Sequence, residues 1–287
     1  MEISVHVFFR NNIVVVFILS APRSGSTWLN AVLGSNSWAG SLGEYYRPFK
    51  MPGHVACRMC EADGLSECTK LHGIQNIMAR DAFHFAADRL GKSVLIDASK
   101  SLDWCKEFLG RCDIDAKLIH LVRNPCGFVE SQGRRQAELS RDGLLDQWED
   151  TNRTIEEFAL ASESSHIMVC YDDLADEPDT NFPRLCDFIG HEWQPEAINY
   201  WLLPHHGLGA NGASSLYLRN RQRTIHQTGD DNFYAGLTER RTISDRRWID
   251  RLPEDFCNEA ISRHYAQYLQ ARLNSNWDRS RYLELGA

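Results

Sequence analysis

The stretch that decides the fold is Ile13-Val-Val-Val-Phe-Ile-Leu-Ser-Ala-Pro-Arg-Ser-Gly-Ser-Thr-Trp-Leu-Asn-Ala-Val-Leu33. Its first seven residues form a continuous apolar run rich in β-branched side chains, which is typical of a strand buried on both faces of a parallel sheet. Residues 20–27 are small and polar around Gly25, and apolar residues then recur at helical spacing from Trp28 to Leu33. The sequence therefore predicts a strand, a tight loop and a helix.

The loop has the composition of an anion-binding site. A tight turn between strand and helix points backbone N–H groups and the positive end of the helix dipole at one place, where a phosphate most often binds. Arg23 adds a fixed charge, and Ser24, Ser26 and Thr27 add hydroxyl donors. The Gly-x4-Gly-Lys-Ser/Thr pattern is absent, which disfavours a magnesium–ATP site. A turn without any ligand is the alternative interpretation.

A second candidate anion element begins about 100 residues after the first. The predicted strand 118–122 ends at Arg123, Asn124-Pro125 turns the chain, and a predicted helix carries Ser131. Arg123 and Ser131 can converge on one anion. Two such elements fit a nucleotide with phosphates at both ends of its ribose better than a nucleoside triphosphate.

Charged residues follow two further predicted strands. Glu44 comes after a short apolar stretch, and Lys100 comes shortly after the predicted strand 93–97. Ligands bind at the carboxyl ends of parallel strands, so both side chains are expected at the site. Glu44 could accept a proton from an acceptor, and Lys100 could neutralise charge on a leaving oxygen. The alternatives are a surface glutamate and a helix start capped by Ser99 or Ser101.

These motifs together resemble those of sulfotransferases that use 3′-phosphoadenosine 5′-phosphosulfate (PAPS). Ala21-Pro-Arg-Ser-Gly-Ser-Thr-Trp-Leu29 resembles the 5′-phosphosulfate loop, and Ile96-Asp-Ala-Ser-Lys100 resembles the Asp-x-Ser-Lys element of bacterial members. Arg123, eight residues before Ser131, resembles the 3′-phosphate element. The resemblance covers most of residues 13–190 and, more loosely, 236–270.

The resemblance implies an α/β fold, a three-layer sandwich with a central parallel sheet like that of P-loop nucleotide kinases. It implies transfer of a sulfuryl group from PAPS, as co-substrate, to a hydroxyl or amine of an acceptor, a small molecule, carbohydrate or lipid, with no metal required. The catalytic residues implied are Glu44, Arg23 and Lys100. The nucleotide-binding residues implied are Arg23, Ser24, Gly25, Ser26, Thr27, Trp28, Arg123, Ser131, Arg241, Ser244 and Arg247.

Two other functions stay open at this point. One is a metal-dependent nucleotide or small-molecule kinase on a related core. The other is a nucleotide-binding interaction protein without catalysis.

Four residues between the first and second anion elements have the chemistry of zinc ligands. They are spaced Cys57-x2-Cys60-x7-Cys68-x3-His72 in a predicted insertion around residues 50–75. A disulfide and reduced, packed cysteines are the alternatives. Residues 193–247 are expected to form the acceptor site and a lid, and His205 and His206 within them are weaker candidates for the base.

Composition limits the remaining possibilities. The 287 residues, 43% of them hydrophobic, suffice for a sizeable core, and the absence of a linker predicts one domain over residues 1–287. The net charge of −8 argues against a general nucleic-acid or anionic-membrane binder. No apolar run reaches membrane-spanning length and no signal-peptide pattern begins the chain, so we expect a cytoplasmic protein whose partners are the nucleotide donor and the acceptor.

Overall fold

The computed structural model describes residues 12–51, 57, 60–61, 64–203, 205–209 and 244–265. Within these residues, five strands form one parallel sheet: β1 (Ile13–Ser20), β2 (Ala39–Gly43), β3 (Val94–Asp97), β4 (Ile114–Val122) and β5 (Ser165–Cys170). The strand order is β2-β3-β1-β4-β5. β1 lies in the middle and pairs with β3 and β4, as its unbroken apolar run predicts.

Helices connect and cover the strands. They are α1 (Ser26–Leu33), α2 (Arg47–Lys50), α3 (Ala82–Leu90), α4 (Leu102–Lys106), α5 (Pro125–Gly133), α6 (Arg141–Ala161), α7 (Tyr171–Asp176), α8 (Pro178–Ile189), α9 (Trp248–Arg251) and α10 (Glu254–Ala260). A 3-10 helix spans Pro195–Leu202, and a π-helical turn spans Ile261–Tyr265. Among the described helices, none has the length and apolarity needed to span a bilayer.

Alternation of side chains along β1 produces the three layers. Val15, Phe17 and Leu19 pack on one face of the sheet with apolar residues of α3, α4 and α6. Val16 and Ile18 pack on the other face with apolar residues of α1, α7 and α8. Because successive strand residues point to opposite faces, a continuous apolar run supplies both cores. The predicted three-layer α/β fold with a central parallel sheet is confirmed.

Several boundaries differ from the prediction. The run Ile167-Met-Val-Cys-Tyr-Asp-Asp-Leu174 predicts a strand over its whole length. The strand β5 ends instead at Cys170, and α7 begins at Tyr171 with Asp172 and Asp173 in its first turn, where the helix dipole favours acids. Apolar spacing predicts a helix over residues 75–90, but the α-helix begins only at Ala82, after two short 3-10 turns. The sequence also predicts a last helix over residues 254–273. This helix changes to the π-helical turn after Ala260, and residues beyond 265 lie outside the described residues. The single domain over residues 1–287 and the cytoplasmic location stay predictions.

Candidate active site

The loop between β1 and α1 has the backbone shape of an anion cradle. Arg23 has φ 65° and Gly25 has φ 91°, both in the left-handed region. Gly25 precedes α1 without any side-chain cap, and the first N–H groups of a helix have no partner within it. A Cβ on Gly25 would lie 2.3 Å from Cδ2 of Tyr171, so only glycine fits between the loop and this ring.

Several buried polar atoms without a hydrogen-bond partner among the described residues lie on this loop or on elements that contact it. Five of them are Ser20 Oγ, Ser24 Oγ, Trp28 Nε1, Arg123 Nε and Ser244 Oγ. Leaving one buried donor or acceptor unsatisfied costs about 1–3 kcal/mol. Such a group of atoms is the signature of a site whose ligand completes the hydrogen bonds.

The two predicted anion elements meet in the folded chain. Arg23 Nε donates a hydrogen bond to Ser131 Oγ over 3.0 Å. Arg123 Nη1 donates to the carbonyl oxygen of Arg23 over 2.8 Å, and its guanidinium lies 5.1 Å from the centre of the Tyr171 ring. Arg123 and Ser131 are buried, as residues of a preorganised site are. The loop after β1 and the β4–α5 element therefore belong to one site.

Asp245 connects this site to the segment before α9. Its carboxylate accepts from Arg123 Nη2 over 3.0 Å and from Arg247 Nε over 2.7 Å. Burial would raise the pKa of Asp245, but the hydrogen bonds from Arg247 and the charge of Arg123 outweigh it and hold that pKa well below its usual range. Two arginines thus converge on one anionic group. Of the three late residues that the resemblance implies, Ser244 precedes Asp245 and Arg247 binds it, whereas Arg241 lies outside the described residues.

Glu44 and Lys100 form an ion pair at the carboxyl ends of β2 and β3. Lys100 Nζ donates to Glu44 Oε1 over 2.7 Å, and Arg47 Nε donates to Glu44 Oε2 over 2.5 Å. The Glu44 side chain is 15% exposed. The structure therefore brings the predicted acid and lysine together, and it adds Arg47.

Asp97, which precedes Lys100, is a supporting residue. Its carboxylate accepts from Trp104 Nε1 over 2.8 Å and from the Ser99 backbone N–H over 2.7 Å. Burial raises the pKa of Asp97 to about 6. These bonds fix the turn in which Lys100 takes φ 61°, a strained value for a lysine. Ser101 caps α4 by accepting from the Trp104 backbone N–H, as the sequence allowed.

A cavity of about 290 Å³ opens beside Lys100. Its lining is Ser20, Lys100, Leu102, Asp150, Thr151, Thr154 and Ile155. It lies between the carboxyl ends of β1 and β3 and the middle of α6, so a molecule bound there touches the end of the strand that carries the anion loop. Trp148, on the same helix, is fully buried and donates from Nε1 to the Arg123 carbonyl oxygen, so it belongs to the core.

The histidines expected near the acceptor do not stand at the cavity. His205 is buried and its Nε2 lies 2.6 Å from the Tyr200 carbonyl oxygen, and burial lowers its pKa. His206 Nδ1 lies 3.5 Å from Cys60 Sγ. His72, the candidate fourth ligand in the sequence, does not lie with the three cysteines. It is exposed, and its Nδ1 lies 3.2 Å from the Thr69 carbonyl oxygen.

Residues 16–195, well over half of the chain, match the family model described as the sulfotransferase family. The chain belongs to the sulfotransferase family. Among solved structures, it is similar to the sulfotransferase domain from the curacin biosynthetic pathway, with 20% identity, TM-score 0.51, and coverage of 88% of this chain and 96% of that one. It is also similar to the sulfotransferase domain of the Synechococcus PCC 7002 olefin synthase, with 21% identity, TM-score 0.54, and coverage of 80% and 90%. These two likenesses show the fold. A search of curated protein sequences finds no match.

Family membership makes the converging residues of this sulfotransferase its candidate active site. Sequence reasoning missed Tyr171, Asp245, Arg47 and the cavity face of α6. Tyr171 carried no local signal, because it falls inside the predicted strand 167–174. Asp245 carried none, because its role depends on a contact with Arg123, 122 residues away.

Proposed function

We propose that this sulfotransferase uses PAPS as donor and transfers its sulfuryl group to a hydroxyl or amine of a small acceptor. The observation that supports this most directly is the hydrogen bond from Arg23 to Ser131. It joins an anion loop to a second cationic element in one buried site. A donor with phosphate groups at both its 5′ and 3′ positions can occupy both elements at once.

The residues present fit such a donor. The turn at Ser24, Gly25 and Ser26 would hold the 5′-phosphosulfate through backbone N–H groups and hydroxyls. Arg123 and Ser131 would hold the 3′-phosphate. Arg247 lies beside them, because Asp245 accepts hydrogen bonds from both Arg123 and Arg247. The orphaned buried atoms described above would then gain acceptors.

The transfer itself needs a base and a cation at the bond that breaks. As the acceptor oxygen or nitrogen attacks sulfur in line with the bridging oxygen, Glu44 accepts its proton. Lys100, held 2.7 Å from Glu44, stabilises negative charge on the bridging oxygen, and Arg23 stabilises the sulfonate oxygens. The products are the sulfated acceptor and adenosine 3′,5′-bisphosphate (PAP). This step makes no demand for a metal ion.

The cavity beside Lys100 supports an acceptor of modest size. Its volume of about 290 Å³ is at the lower end for small-molecule sites. Threonine hydroxyls from α6 and the carboxylate of Asp150 can orient the polar groups of an acceptor, while Ile155 and Leu102 supply apolar contact. A small molecule, or the end of a carbohydrate or lipid, is the class of acceptor that we propose.

The donor assignment can be tested by calorimetric binding of PAP and of AMP, which lacks the 3′-phosphate. Ser131→Ala should weaken PAP far more than AMP, because it removes a hydrogen bond to the 3′-phosphate. The expected loss is about 1.5–3 kcal/mol, or roughly 10- to 150-fold in affinity. Ser24→Ala is the matched control at the 5′ end and should weaken both ligands by a similar factor.

Equal losses of PAP and AMP in Ser131→Ala would refute the 3′-phosphate assignment. Binding of ATP with magnesium in preference to PAP would instead favour the kinase. Transfer of labelled sulfate from PAPS to a panel of alcohols and amines then distinguishes an enzyme from a silent nucleotide-binding protein.

A further inference from the structure

A cluster of three thiols and an imidazole lies apart from the proposed transfer site. Cys57, Cys60 and Cys68 come from the insertion after α2, and His206 comes from the segment after the 3-10 helix Pro195–Leu202. One ligand atom from each residue lies within 4.8 Å of all the others. The three cysteines are buried and carry free thiols. Residues far apart in sequence thus supply four soft donors to one point.

Two distances within the cluster match those of a tetrahedral ligand set. Cys60 Sγ lies 3.5 Å and Cys68 Sγ lies 3.7 Å from His206 Nδ1. Around a tetrahedral zinc ion with Zn–S near 2.3 Å and Zn–N near 2.0 Å, the S···N separation is about 3.5 Å. The imidazole of His206 and the thiols of Cys60 and Cys68 therefore already have the separations that zinc would impose.

Backbone N–H groups surround the thiols as they do in metal centres. The Thr69 N–H donates to Cys60 Sγ over 3.5 Å, and the Leu71 N–H donates to Cys68 Sγ over 3.4 Å. Such bonds orient thiolate ligands and reduce their charge. A disulfide would use only two of the three thiols and leave the histidine without a role. Simple packing would not require a polar ring among them.

We propose that Cys57, Cys60, Cys68 and His206 bind one structural zinc ion. Four protein ligands close the coordination shell, so no position is left for water or substrate. The site is independent of the proposed transfer chemistry, which needs no metal. The fourth ligand is therefore His206, which is distant in sequence, rather than His72, which is close to the three cysteines in sequence.

The position of the cluster shows what the ion would stabilise. Leu208, two residues after His206, donates from its backbone N–H to the Leu42 carbonyl oxygen over 2.8 Å and accepts from the Glu44 N–H over 2.6 Å. Leu208 also forms a β-bridge with Cys57. The zinc ion would therefore fasten residues 57–68 and 205–209 to each other and to the end of β2, directly beside the Glu44 backbone.

The first test is elemental analysis of the full chain, purified without chelators and under reducing conditions. We expect about one zinc ion per chain, the stoichiometry of one closed site. Cys60→Ser and His206→Ala should lose it. Cys112→Ser, which removes an exposed thiol, and His72→Ala, which removes the neighbouring histidine, are the matched controls and should keep it.

If the variants of the ligand residues fail to fold, cobalt(II) spectroscopy of the wild-type protein tests the proposal. Cobalt(II) exchanged into the wild-type protein should give intense thiolate charge-transfer and tetrahedral d–d bands, and His206→Cys should retain metal with a shifted spectrum, as a fourth thiolate would. Absence of zinc from the wild-type protein would overturn the proposal. So would a disulfide within the cluster detected by mass spectrometry, or equal zinc loss from His72→Ala and His206→Ala.

Discussion

Replacing Glu44 with glutamine separates the proposed proton-accepting role of this residue from its structural role. The side chain accepts from Lys100 over 2.7 Å and from Arg47 over 2.5 Å. Glutamine can keep an oxygen toward Lys100 but loses the charged hydrogen bond to Arg47. Because Arg47 is 28% exposed, this loss belongs at the low end of the range for charged hydrogen bonds, about 1.5 kcal/mol of unfolding free energy. The variant should therefore fold.

The turnover of Glu44→Gln should fall far more than its small loss of unfolding free energy would explain. A positioned general base contributes about 100- to 10,000-fold to the rate, and the amide cannot accept the acceptor proton. The assay is sulfate transfer from PAPS under saturating donor, with acceptor alcohols of graded pKa, alongside calorimetry of PAP. We expect unchanged PAP affinity and a rate deficit that grows with the pKa of the acceptor.

The matched control is Arg47→Gln, which removes the same ion pair and leaves the carboxylate group. Its turnover should stay within about tenfold of the wild type, as expected for loss of an interaction that is not made to the reacting atoms. Near-native turnover of Glu44→Gln with a high-pKa alcohol would refute the assignment of the base. Collapse of PAP binding in Glu44→Gln would make Glu44 a structural member of the donor site.

Two further predictions concern the scaffold. Gly25→Ala should abolish PAP binding in calorimetry and lower the free energy of unfolding by about 2–4 kcal/mol, because an alanine is strained at φ 91° and its Cβ would clash with Tyr171. The control is Gly110→Ala, at φ 71° with no atom near its Cβ position. It should lower the free energy of unfolding by only about 1 kcal/mol and leave PAP binding intact. Wild-type binding by Gly25→Ala would contradict this packing. Burial lowers the pKa of His120 from 6.5 to about 4, so its contribution to stability is complete above pH 6.5 and is lost as pH falls toward 4. His120→Gln should remove about 3 kcal/mol of that pH dependence in urea unfolding, and parallel curves for variant and wild type would refute it.

Features that depend on residues close together in sequence could be predicted from the sequence. The run from Ile13 to Leu19 was sufficient to place the central strand, and the glycine-centred loop after it predicted the anion cradle. Lys100 and Glu44 could be placed because each follows a strand end, and all parallel strands end at one edge.

Long-range contacts were beyond such patterns. The fourth residue of the cysteine cluster lies 146 residues after Cys60, and the nearby His72 satisfied the expected spacing without lying in the cluster. Asp245 finds its partner only when the segment before α9 folds over β4. Tyr171 falls in the run that predicts a strand over residues 167–174, although the acids after it favour a helix start.

The strand order separates the proposed donor-binding residues from the proposed base and its neighbours. The proposed donor-binding elements follow β1 and β4, whereas Glu44 and Cys57 follow β2, and Lys100 follows β3. Exchange of residues 44–75 and 205–209 between relatives would thus leave the registers of β1 with β4 intact. Substrate preference can then diverge, or be grafted, without the nucleotide pocket having to be rebuilt.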